Sequence, residues 1–251
     1  MGLFPRPMGE GKGEGAAFTL AEVLITLAII GVVAAMTIPT LISDYQEKVT
    51  VTKVKKVFYL ISNAYKMAQA EHGSFDSWGI DSGDYWTENA ALIVANKIKP
   101  YIRVIDDCGT SNCNGYINGS ITFLNGRTDL NPTEAATDMS QNNIYKMRLA
   151  DGVGLYIRAR ATEATVLFDI NDNKEPNVLG KDIFYFAISP NSVKIPGIGK
   201  DPSNTSSSTP WFLCNPAQQG WYCTGWVFYK GNMDYLKCPD ELTWNGKNSC
   251  K

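Results

Sequence analysis

The run FTLAEVLITLAIIGVVAAMTI, residues 18–38, decides how this chain is read. One glutamate, Glu22, stands near the head of an otherwise apolar stretch. At about 1.5 Å per residue a helix over these positions spans about 30 Å, the thickness of a bilayer's hydrocarbon core. The stretch can therefore cross a membrane as a helix. A carboxylate in such a helix costs about 2.5 to 3.5 kcal/mol at mid-bilayer and less near an end, so it marks a function and calls for a partner. The small and polar residues Gly13 to Ala17 precede the apolar run instead of following it, the reverse of an ordinary cleavable secretory signal. Processing is expected ahead of the helix. A cut between Ala17 and Phe18 would expose a new α-amine four residues from the Glu22 carboxylate.

Outward from this segment, composition narrows the choice. Of 251 residues, 44% are hydrophobic and 19% charged, which suits one membrane span and one globular domain with a buried core. The net charge of -2 gives no general attraction to DNA or anionic lipid. Six cysteines, Cys108, Cys113, Cys214, Cys223, Cys238 and Cys250, all follow the apolar run. They form no C-x-x-C, and one histidine, His72, cannot complete a zinc set, so disulfides in an oxidising compartment are expected. Pairing of sequence neighbours is assumed among 15 possibilities.

The N-terminus resembles that of type IV prepilins and type II secretion pseudopilins. The likeness covers about residues 12 to 43: a polar leader with Lys12, a small residue before the scissile bond, Phe18 as the first mature residue, TLAE with its glutamate in register, Gly31 in the helix, and IPTL with Pro39. The residue before the cut, usually glycine in that family, is Ala17 here; a cut after Gly15 would put Glu22 out of register. The resemblance implies a prepilin peptidase that cleaves between Ala17 and Phe18 and N-methylates Phe18. It implies that Glu22 pairs with the amine of a neighbouring subunit during filament assembly, with Pro39 in the assembly helix. The expected domains are a leader, 1–17, a transmembrane and assembly half of the helix, 18–43, and a pilin-like domain, 44–251. The expected place is the bacterial inner membrane, single-pass, with the domain in the periplasm, or a surface filament. Lys48, Lys53, Lys55 and Lys56 after the span would favour the opposite orientation by charge alone. The cysteines and the family pattern outweigh them.

Beyond Pro39 the apolar spacing stays helical through Leu41, Tyr45, Val54, Phe58, Ile61, Tyr65 and Ala68, which predicts one helix from Phe18 to about Glu71, stopped near Gly73. WTENAALIVANKIKPYI, 86–102, reads as a second short helix capped by Thr87 and ended before Pro100. YINGSITFLNG, YKMRLADGVGLYIRARA and EATVLFDI read as strands joined by Asn-Gly and Asp-Gly turns. The fold class is thus α+β, a long N-terminal helix on an antiparallel sheet, followed by a cysteine-rich C-terminal region.

The lysines of KVKK beside the span read as a solvated face, and no basic-aromatic patch suggests nucleic acid. With one histidine, no G-x-S-x-G and no Walker A sequence, nothing points to an enzyme or a required cofactor. In DINDNKEPNVLGKD, 169–182, Asp169, Asn171 and Asn173 alternate as oxygen ligands do in the first half of a calcium loop, and Asp182 could close the sphere. Glycine stands at 180 where an EF-hand has glutamate, so calcium is an expectation against a plain Asx turn. The functions that remain are a structural filament subunit, whose partners are the peptidase, other pilin or pseudopilin subunits and the membrane, or a minor pilin or adhesin. The second would bind a glycan or surface through Trp211, Trp221, Tyr222 and Trp226.

Overall fold

The computed structural model describes residues 19–117, 119–128, 138–203 and 213–250. Helix α1, Leu20–His72, is assigned without interruption through Pro39. It stops where Gly73 takes φ +80°, a left-handed conformation that costs glycine little. The chain divides into two compact units, 1–45 and 46–251. Within the first, every described side chain is exposed except the half-buried Ala34, including Leu20, Leu24, Ile25, Leu27, Ile29, Ile30 and Met36. The helix is long and apolar enough to cross a membrane.

In the second unit the rest of α1 is amphipathic. Val54, Val57, Ile61, Ala64, Tyr65 and Ala68, at three- and four-residue spacing, are buried against the sheet. Helix α2, Glu88–Ile98, lies on the same side, and the Thr87 hydroxyl caps it by accepting from the Ala90 N–H at 3.2 Å. The sheet is a six-stranded antiparallel meander in chain order: β1 Val104–Gly109, β2 Tyr145–Leu149, β3 Gly154–Arg160, β4 Glu163–Asp169, β5 Ile183–Ser189 and β6 Ser192–Lys194. Leu155, Ile157 and Ala159 of β3 face the helices, while Tyr156 faces a second core with Ile117, Ile121, Phe123, Leu167 and Ile183. Strands β2 to β5 are mostly buried on both faces because helices cover one and loops the other.

The segment 116–126 was expected as a strand and is instead a covering loop with isolated bridges, Ser120 to Asp138 and Thr122 to Val178. Its alternation is real, since Ile117, Ile121 and Phe123 are buried. Its backbone bonds run to loops, however: Thr122 donates to the Asn177 carbonyl and Leu124 to that of Gln219. Period-two burial here reports one packed face and not a ladder.

The six cysteines form three disulfides, Cys108–Cys113, Cys214–Cys223 and Cys238–Cys250, each between sequence neighbours. The last two staple the C-terminal region around α3, Cys223–Lys230. Gly225 of α3 sits so close to the chain at Pro196 and Gly197 that an added Cβ would lie 2.5 Å from the Pro196 carbonyl oxygen.

Candidate functional site

Two places bring functional side chains together, the head of α1 and the β4–β5 turn. At the helix head Thr19 is the residue before the first helical position, and Glu22 is in the first turn. Glu22 Oε2 accepts from the Thr19 N–H at 2.9 Å and from its hydroxyl at 2.9 Å, and the Thr19 hydroxyl in turn accepts from the Glu22 N–H at 3.2 Å. This is a capping box, T-x-x-E, which satisfies orphan donors at the helix start. The carboxylate thus has a partner in its own chain, one the sequence displayed as T-x-x-E. Oε1 accepts no hydrogen bond from the described residues. Farther along, the hydroxyls of Thr26, Thr37 and Thr40 donate to the carbonyls of Val23, Val33 and Thr37, so the run satisfies its polar side chains internally. Pro39 lies within α1; Ala17 and Phe18, the expected cleavage positions, lie outside the described residues.

Two of the lysines that follow, Lys53 and Lys56, are engaged by the domain. Lys53 donates to the Ile170 carbonyl at 2.5 Å, and Lys56 pairs with Asp151 at 2.7 Å. They serve packing and local pairing.

The turn that links β4 to β5 begins at Asp169, which is fully buried. Its Oδ1 accepts from the Asn171 N–H at 3.0 Å, and its Oδ2 is buried with no hydrogen-bond partner. The chain doubles back with Asp172 at φ 60° and Asn177 at φ 49°, returning to Asp182, 4% exposed. Asp182 Oδ2 accepts from the Asn177 N–H at 3.0 Å and the Asn171 side-chain amide at 3.3 Å, and Oδ1 from the Val178 N–H at 2.6 Å. The amide oxygens of Asn171 and Asn177 are buried and unpartnered as well. Burial pushes the Asp169 carboxyl up to about 8, with the charges of Asp182 and Asp172 adding to it and the Asn171 N–H and Lys53 opposing. Burial also raises Asp182, against the N–H groups of Val178 and Asn177.

The sequence singled out Asp169, Asn171, Asn173 and Asp182. The structure brings three of these together, leaves Asn173 exposed and adds Asn177. Three unpartnered buried oxygens beside two buried carboxylates are what a hard cation coordinates, and neutral amide oxygens are among its usual ligands. Among the described residues no group of three or more histidine, cysteine or acidic side chains could hold a metal, so a cation at this turn would depend on the amide oxygens as well as the two carboxylates. As to the aromatic tail, Trp221 and Trp226 are buried, Tyr222 is half-buried, and Trp211 lies outside the described residues.

These features define a class: an α+β protein with one long apolar N-terminal helix and a disulfide-stapled domain. The chain belongs to the family of unknown function DUF6613, whose family model matches residues 40–196. No curated protein and no solved structure matches the chain.

Proposed function

We propose that the chain is a prepilin-like structural subunit. It is held in the inner membrane by the apolar half of α1, with its domain in the periplasm. It is cleaved between Ala17 and Phe18 and N-methylated at Phe18 by a prepilin peptidase, then assembled through the same helix into a type II secretion pseudopilus or a type IV pilus. The observation that carries this reading is the lone carboxylate at the head of an exposed apolar helix, with Oε1 left for a donor outside the described residues. An α-amine supplied by a neighbouring copy has the charge and the position along the helix to meet it. Three disulfides support an oxidising compartment for the domain. Replacing Glu22 by Ala should leave the protein membrane-bound while filament incorporation fails; normal incorporation of that variant would count against the proposal.

A calcium ion at the β4–β5 turn belongs to the same proposal, held by Asp169, Asn171, Asn177 and Asp182. When bound, it would neutralise two buried carboxylates and fix the turn from which Ile170 receives Lys53 of α1. Calorimetric titration of the full chain in detergent with calcium should give saturable heat, and absence of heat would remove the site.

A further inference from the structure

On the sheet face away from α1, Arg158 and Arg160 of β3 follow Tyr156 at two-residue spacing. The Arg158 guanidinium carbon lies 4.2 Å from the Trp86 ring centroid. That of Arg160 lies 5.1 Å from Trp86 and 5.4 Å from Tyr85. Arg160 has a carboxylate, Glu163 Oε1 at 2.6 Å. Among the described residues Arg158 makes no hydrogen bond or ion pair, and the Nε atoms of both arginines are buried without an acceptor. Of the two guanidinium groups, that of Arg160 alone is paired with a described carboxylate. Burial pushes the Arg158 guanidinium down to about 10, with the Arg160 charge adding to it and Glu163 and Tyr185 opposing.

The aromatic side of this cluster is held in place at a cost. Trp86 sits at φ 57°, a left-handed conformation that is an outlier for a bulky residue. Its carbonyl accepts from the Asn143 side-chain amide at 3.0 Å, Thr87 caps α2 directly after it, and Ala161 at the β3–β4 turn donates to the Asp84 carbonyl. Strain that the surroundings over-determine in this way collects at binding sites. A guanidinium held 4.2 Å from an indole centroid is ordered by the ring, and its planar fork of edge N–H groups can grip a carboxylate with two parallel hydrogen bonds. Beside that edge Tyr85 is 69% exposed and offers a ring on which a sugar can lie.

We propose that Arg158 and Arg160, ordered against Trp86 and Tyr85, form a binding site for an acidic sugar, with its carboxylate on the Arg158 edge and its ring against Tyr85. This site is independent of the reading of α1. The test is calorimetric titration of the full-length protein in detergent with a glucuronate trisaccharide, its methyl ester and inorganic phosphate. Wild type should bind the trisaccharide and bind the ester about tenfold or more weakly, the loss expected when a charge-assisted pair is removed. Arg158→Lys, which keeps charge but loses the fork, should weaken binding by a similar factor. Tyr85→Ala should weaken it several-fold with an unchanged melting temperature. The proposal is overturned if wild type does not bind the trisaccharide, if Arg158→Lys binds as wild type does, or if phosphate binds as tightly while Tyr85→Ala has no effect. The last result would mark a plain anion site.

Discussion

Glu22 has one role in the fold and another in the proposed function, and one substitution separates them. Its carboxylate closes the capping box with Thr19, and its charge is available to an amine through Oε1. Glutamine also serves at this position of a capping box but carries no charge. Glu22→Gln should therefore keep the helix start and the membrane localisation while filament incorporation fails as in the alanine variant, measured by filament yield. Incorporation equal to wild type would assign Glu22 to capping alone. Asp169 makes a second residue-scale prediction. Burial pushes its folded carboxyl up to about 8, from an ordinary value near 3.8. Between those values the folded protein holds a proton that the unfolded chain has released, so in chelator the stability Asp169 contributes falls as pH rises from about 4 to about 8. In the proposed site calcium would take the place of that proton, so the rise in melting temperature on adding calcium should be larger at pH 8 than at pH 5. Asp169→Asn should abolish the calcium response, and no calcium-dependent rise at pH 8 would contradict the assignment.

At the scale of elements, the long helix, the second helix with its Thr87 cap and the hairpins around β3 were legible because each carries a local signal: period 3.6, an N-cap, or alternation broken by Asp-Gly. Strand β1 was not legible, since its residues Ile105, Asp106 and Asp107 are exposed and it pairs with β2 through irregular register. Segment 116–126 misled for the opposite reason, having a buried alternating face without a strand partner. The docking of α3 depends on a contact that only the fold reveals. Gly197 is at φ +85°, and a Cβ there would fall 2.1 Å from the Tyr222 carbonyl oxygen, at the residue before α3. Gly197→Ala should cost on the order of 3 kcal/mol, combining a left-handed conformation with overpacking. Gly199→Ala, at φ +73° with nothing within 4 Å, should cost about 1 kcal/mol. Thermal melts of the two variants compare them directly, and equal losses would show that the contact with α3 does not matter.

For the whole molecule, the part of each site that was legible in sequence was the part with a short-range pattern. Asp169 and Asn171 stood out by alternation. Asn177 did not, because it joins only when the turn brings its N–H to Asp182 and buries its side-chain oxygen. The Trp86 and Arg158 pair, far apart in the chain, has no local signature at all and exists because the segment leading into α2 is bonded to the β3–β4 turn, where Ala161 donates to the Asp84 carbonyl. The Thr19 partner of Glu22 was written in T-x-x-E, but a reading that sought a countercharge passed over a hydroxyl. The proposed function joins these parts in one sequence of events: a leader would be removed, an amine created, and the helix committed to a filament while the disulfide-bonded domain stays outside. Intact mass and N-terminal sequence of the protein purified from its own membranes test it most directly. The account predicts a chain that begins at Phe18, carries one added methyl group, and has all six cysteines oxidised in three disulfides. A chain that begins at Met1, or one cut on the far side of the apolar helix, would contradict it.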